Sequence, residues 1–387
     1  MIGSLVDRKG TSSSSREAFL TNYIRTLTSH YMAEGLYGHV SEVLGAFSAS
    51  VKAEATEQEA KLALRAIALT AISYEDDNIY DTVSAVLKRS ISDSESLPIK
   101  AAAIYSLGIC ISFGGAAEEE ILDVLTFLLE IVSSDGSFIG AHDNAEVVAA
   151  ALHTYGFLAT QVEDIEHESE DAISAFLEQL DSDDVRVQVA AGENIALLYE
   201  KSYTPREHDD TPSENEDEDS SDDEFDGPRD DSDLVKRYNA YHNTAEVLEK
   251  VNALAGISTK SINRRDKRAL HSSFTTIAHT IDKPKNGLKT SNASKMVVRI
   301  HNEGEMRVDK WWKFMRLNAI RRLLAFGFVN HYFEGNKQVL DALPMIMRAT
   351  GGSGIVSPRK GGTSKATKGK YRDSRRFVSG GDFDEST

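Results

Sequence analysis

This 387-residue chain has a single cysteine, few prolines and no long apolar run. Its single cysteine, Cys110, excludes a disulfide framework and a cysteine-based zinc site within one chain, and it fits a reducing compartment, cytosol or nucleus. There are only 7 prolines, and strict apolar/polar alternation is nearly absent. Apolar spacing of three and four dominates instead, which reads as an all-α chain. No stretch approaches the roughly 20 uncharged apolar residues that span a bilayer, and the segment Met1 to Gly10 lacks the apolar core of a secretory leader. The expectation is a cytoplasmic protein, with the nucleus as a second location and no membrane partner.

The motifs of enzymatic chemistry are missing too. There is no GxxxxGK[ST] loop to cradle phosphates, no HExxH pair, no GxSxG elbow and no CxxC. His167, Glu168 and Glu170 are metal-ligating residue types, but they occupy a polar inter-helix segment without a matching histidine, so plain polar surface is the favoured reading. Gly380-Gly381-Asp382-Phe383 superficially resembles a cyclase signature, without the domain that signature needs. The expectation is a non-enzyme with no metal or cofactor.

What is present is a repeat. Leu62 to Leu69, Ala102 to Ile109, Ala150 to Phe157 and Ala190 to Leu197 share one pattern, at offsets of 40, 48 and 40 residues. It runs from a small or apolar residue to Ala, three variable residues, a large apolar residue, then Ala or Gly and another large apolar residue. That period belongs to armadillo and HEAT repeats, in which each helical pair buries its apolar face only against its neighbours. Ala63, Ala103, Ala151 and Ala191, with Ala68, Gly108, Gly156 and Ala196, would let backbones approach, while Ile67, Leu107, Tyr155 and Ile195 fill the core. Partner helices are expected over Thr82 to Ile91, Glu118 to Val132 and Asp171 to Leu180. Four unrelated Ala-rich helices of one bundle are the competing reading.

Charge divides the chain. Residues 1–256 hold 17 Lys and Arg against 50 Asp and Glu, a balance of −33, whereas residues 257–387 hold 26 against 11, a balance of +15. Much of the acidity lies in Glu207 to Asp233, with 15 Asp or Glu and one basic residue, Arg229. A segment of that composition buries too little apolar surface to offset its ordering entropy, so a disordered acidic loop is expected, with Ser213, Ser220 and Ser221 as acceptors for phosphorylation. The organisation expected is helical repeats over 1–206, the acidic loop over 207–233, a C-terminal helical part over 234–350 and a basic tail over 351–387.

In the C-terminal part, Leu270, Phe274, Ile277 and Ile281 form one apolar stripe on a helix starting near Ser261, and Arg264, Arg265 and Arg268 fall opposite it, with Lys267 between. A solvated face and a phosphate-binding face are both open at these cations. A second helix is expected over Val308 to Phe326, ended by Gly327, and a third over Asn336 to Met347. Of Trp311 and Trp312, neighbours about 100° apart on a helix, at most one can be central to the core. His331 reads as a capping or packing histidine. The tail carries Arg359, Lys360, Lys365, Lys368, Lys370, Arg372, Arg375 and Arg376 against one acid, Asp373, and suits a polyanion.

Ser261-Ile262-Asn263-Arg264-Arg265-Asp266-Lys267-Arg268, followed by Ser273-Phe274, resembles a signature of the interferon-related developmental regulator family. Val308-Asp309-Lys310-Trp311, Leu324-Ala325-Phe326-Gly327 with His331 and Asn336, and the Ser364 to Arg376 element continue the resemblance. Thr275 and Thr276 after Phe274, Gly369 in the tail and the insertion Pro284 to Ser294 depart from it. The resemblance implies an armadillo-like body and a non-enzymatic regulator. Members of that family are associated with translationally inactive ribosomes, where the solenoid occupies tRNA space and a C-terminal element enters the mRNA path; they are also described as nuclear transcriptional co-regulators. The implied partners are the ribosome, through rRNA and ribosomal proteins, and tRNA, or, in the alternative, nuclear co-repressor proteins. A generic HEAT-type transport or assembly adaptor is a third reading.

Overall fold

The computed structural model describes residues 11–205, 234–257, 263–288, 297–301 and 304–348. Its body is an α-solenoid. An entry helix, α1 (Ser13–Ser29), and a short turn, α2 (Ala33–Leu36), lead into five helical pairs. These are α3 (Val40–Ala53) with α4 (Glu57–Ser73), α5 (Ile79–Asp93) with α6 (Leu97–Phe113), α7 (Glu118–Ser133) with α8 (Ala145–Ala159), α9 (Glu166–Gln179) with α10 (Val185–Lys201), and α11 (Thr244–Ala255) with α12 (Arg264–Asp282).

The second helix of every pair starts at a polar cap. Thr56, Ser96, Asn144, Asp184 and Asn263 each accept a backbone N–H of the first turn, satisfying a donor the helix itself leaves orphaned. Among the first helices, α3, α5 and α9 lack a side-chain cap and rely on packing. The second helices line up as one row, α1, α4, α6, α8, α10 and α12, and the first helices form the other layer.

The expected repeat positions make this row. Ala63, Ala103, Ala151 and Ala191 are all fully buried, as are Ile67, Leu107, Tyr155 and Ile195. Gly108 is a point of close approach: a Cβ there would come within 2.5 Å of Thr154 Cγ2. The same repeat position also supplies a recurring hydrogen bond. Ser106 Oγ donates to Leu64 O at 3.0 Å, and Asn194 Nδ2, two repeats on, donates to Leu152 O at 2.9 Å. Cys110 is buried and free. No helix among the described residues is long and apolar enough to cross a membrane.

Between α10 and α11, strand β1 (Tyr203–Pro205) pairs antiparallel with β2 (Leu234–Lys236), so the residues flanking the acidic stretch meet. The acidic stretch itself, Glu207 to Asp233, lies outside the described residues. After α12 the chain folds back on itself. A 3-10 turn at Pro284–Asn286 is followed by strands β3 (Val297–His301) and β4 (Gly304–Arg307), helices α13 (Trp311–Leu324), α14 (Phe328–Phe333) and α15 (Lys337–Ala342), and strand β5 (Ile346–Arg348).

Helix α13 lies on the face of the second-helix row and runs against the repeat order. Its anchors descend the chain. Trp311 bonds Glu200 and Thr280, Arg316 bonds Thr160, Arg322 stacks over Tyr105 at 4.5 Å, Leu323 O accepts from Arg65, and His331 bonds Leu27 O. The C-terminal part is thus a strap along the inner face of the solenoid, from the last pair back to the first helix.

Three expectations need correction here. The helix expected over Asn336 to Met347 stops at Ala342, because Pro344 forces Leu343 out of the helical region (φ −109°, ψ 151°), and the chain continues as β5. The helix expected from Val308 to Phe326 begins at Trp311 and ends at Leu324, where Ala325 takes a left-handed φ of 48°. Gly327 is therefore not the helix terminator; it is small because a side chain there would strike the Thr28 carbonyl of α1. Finally, the three-stranded sheet β3-β4-β5 was invisible to alternation, since its strands are three to five residues long and one carries a bulge between Arg299 and His301.

Candidate nucleic-acid interface

Helix α12 presents the sharpest amphipathic division in the chain. Leu270, Phe274, Ile277 and Ile281 are buried, and Phe274 and Ile277 pack onto Gly192 of α10, whose missing side chain leaves room for them. Asn263 caps the helix and Asp266 is the acid of its first turn. Around that acid stand Arg264, Arg265, Lys267 and Arg268, of which all but Lys267 are exposed.

Cations at a helix N-terminus sit at the positive end of its dipole, which costs about 0.3–1 kcal/mol each at a surface. Helix stability therefore does not explain them. Asp266 matches the first-turn acids of α4 and α8, while α6 and α10 have none, so what sets α12 apart is the crowding of four cations around its acid.

The cations do not share one surface. Arg264, Lys267 and Arg268, at i, i+3 and i+4, line an open cleft of about 430 Å3 between α12 and the end of α11, and His271, one turn on, joins them. Ala255, Gly256 and Ile257 form the other wall, and no acidic residue among the described ones lines it. Arg265 does not line the cleft. Among the described residues Arg264 and Arg268 have no ion-pair or hydrogen-bond partner. The His271 Nδ1–H donates to Ala255 O at 2.8 Å. Sequence reasoning missed His271, although its spacing of seven from Arg264 placed it on the same helical face.

The two tryptophans separate as geometry requires. Trp311 is buried, its indole N–H donating to Thr280 Oγ1 at 2.8 Å, while Trp312 is half-buried with Arg316 5.1 Å and Lys313 5.4 Å from its ring centre. Trp312 is thereby already engaged by cations. His331 is buried, donates from Nε2 to Leu27 O at 2.7 Å and accepts from Asn336 Nδ2 at Nδ1. Burial lowers its pKa below the usual histidine value, which suits a neutral packing residue.

The tail cations Arg359, Lys360, Lys365, Lys368, Lys370, Arg372, Arg375 and Arg376 lie outside the described residues. Glu170 pairs with His242 of the segment leading into α11, while His167 is exposed, and no cluster of three metal-ligating side chains occurs among the described residues. One long stretch of the repeats contrasts with α12. Residues 101–185 carry 18 Asp and Glu and no Lys or Arg at all.

Residues 1–282 match the profile of the interferon-related developmental regulator family, close to three-quarters of the chain. The chain belongs to that family. The match takes in the repeats and the whole of α12; the resemblances at Val308 to Trp311, Leu324 to Gly327 and in the tail lie beyond it. An uncharacterized protein of Schizosaccharomyces pombe is 25% identical over 339 residues, covering 86% of this chain and 70% of that protein. Among solved structures, an engineered protein overlaps 73% of this chain and 97% of its own at 16% identity and a TM-score of 0.41, too loose a likeness to argue from.

Proposed function

We propose that this family member is a non-enzymatic regulator that binds translationally inactive ribosomes, in the cytoplasm, through rRNA phosphates. The observation that carries the reading is the set Arg264, Lys267 and Arg268 of α12, held at the unfavourable end of a helix dipole and lining a cleft with no acid among the described residues. The strongly acidic stretch 101–185 supports it from the other side, because it repels phosphate and leaves basic ribosomal-protein segments as its complement. The basic tail, Arg359 to Arg376, supplies further cations for a polyanionic channel such as the mRNA path.

The alternative, a nuclear scaffold that recruits co-repressors in the solenoid groove, loses support. The inner face of the second-helix row is covered by the chain's own strap from Trp311 to Val339. A partner would have to displace buried Trp311, His331 and Val339 first.

Sucrose-gradient sedimentation of the tagged protein from fed and starved cells tests the proposal. Co-migration with monosomes, enhanced by starvation and abolished by RNase, is expected. Absence from ribosomal fractions in both states refutes it and favours the nuclear reading.

A further inference from the structure

We infer that the α11–α12 cleft is a ribonucleotide site in which His271 reads the 2′-hydroxyl, so that the protein distinguishes RNA from DNA at this point. The inference rests on the RNA-binding reading above and specifies its ligand.

Three observations carry it. First, the cleft's volume of about 430 Å3 is of the size that holds one nucleotide, and one wall is the neutral turn Ala255-Gly256-Ile257, against which a base or sugar can lie. Second, Arg264, Lys267 and Arg268 crowd the opposite wall within one helical turn, so a phosphodiester meets several donors at once. Third, the hydrogen bonding of His271 fixes its chemistry. A carbonyl oxygen can only accept, so the proton of the neutral ring is on Nδ1, which donates to Ala255 O at 2.8 Å.

In the neutral ring the remaining nitrogen, Nε2, is a hydrogen-bond acceptor, and it has no partner among the described residues. Phosphate oxygens, which also only accept, do not satisfy it. A ribose 2′-hydroxyl does, because it can donate to Nε2 while its sugar's phosphate is held by the neighbouring arginines. Deoxyribose has nothing to offer there. The three cations thus supply affinity for either nucleic acid, and His271 supplies the preference.

The test uses the full chain and three fluorescent single strands of one sequence, in RNA, DNA and 2′-O-methyl RNA form, with affinity read by anisotropy over a range of salt. Wild type should bind RNA about three- to tenfold tighter than either of the others, the worth of one hydrogen bond. His271→Ala should bring RNA down to the DNA level, leave DNA binding unchanged and leave the salt slope unchanged. His271→Gln, whose amide oxygen can also accept, should retain part of the preference. Arg264→Ala with Arg268→Ala should weaken RNA and DNA equally and flatten both salt slopes. Equal affinity of the wild type for RNA and DNA overturns the inference, and so does an equal loss on both ligands in His271→Ala. Failure of the ribosome proposal would look different: RNA preference and its dependence on His271 would persist while the protein stayed out of ribosomal fractions.

Discussion

Replacing Glu200 by Gln tests how the strap is held to the repeats. Glu200 belongs to α10 and is only 7% exposed, yet its two oxygens accept the backbone N–H groups of Trp311 at 3.0 Å and Trp312 at 3.3 Å. It is a helix cap supplied from 111 residues away, because the Lys310 side chain, in the cap position, makes no capping bond and reaches instead to Lys285 O. Burial disfavours its anion, while the two N–H groups and Lys310 favour it, and the balance raises its pKa from 4.5 to about 7. Between those values the folded protein holds a proton that the unfolded chain has released. The stability this group contributes is therefore fully present below pH 4.5 and is lost as pH rises through about 7. At about 1.4 kcal/mol per pH unit, the loss is on the order of 3 kcal/mol. Glu193, on the same helix, is raised by burial to about 8 and adds a decline of the same sign, so variant and wild type must be compared at each pH. Glutamine keeps the size and one carbonyl acceptor but does not titrate. In urea unfolding between pH 5 and 8, the wild type should lose stability more steeply than Glu200→Gln, the variant being up to about 1 kcal/mol weaker at pH 5 and equal or stronger at pH 8. Parallel curves for the two proteins would refute the reasoning.

Other substitutions test other parts of the account. Arg16 makes a two-pronged ion pair with fully buried Glu59, at 2.7 and 2.8 Å, and Arg16→Ala should lower stability by about 1–3 kcal/mol in urea unfolding by removing both charged hydrogen bonds. Gly108→Val should destabilise by about 1–3 kcal/mol, seen as a lower thermal midpoint, because its first carbon already meets Thr154 within 2.5 Å. Replacing Arg264, Arg265 and Arg268 together by Ala should leave the fold intact by circular dichroism and reduce the salt slope of RNA binding by about 0.7 for each phosphate no longer neutralised. Deleting residues 351–387 removes eight cations between Ser357 and Phe377, and should flatten that slope by up to about 6.

Much of the fold was legible in the sequence because its repeat writes one local rule four times. Ala63, Ala103, Ala151 and Ala191 could be found by alignment since each solves the same packing problem. The stripe of α12 was equally plain, as four apolar residues at helical spacing bury four side chains. The strap was not legible. Its docking depends on single long-range bonds, Glu200 to Trp311, Arg65 to Leu323 O and His331 to Leu27 O, whose pairing no local spacing along the chain announces. The candidate site was legible in part. The arginines announced themselves by charge, while the cleft needed the turn at Ala255 to Ile257 to define its second wall, and only that wall gives His271 its tautomer.

Ultraviolet cross-linking in starved cells, followed by sequencing of the attached RNA, shows whether the cations of α12 touch rRNA. Reads should map chiefly to rRNA and fall sharply when Arg264, Arg265 and Arg268 are replaced by Ala. Recovery of no RNA, or rRNA reads unchanged in that variant, would contradict that contact.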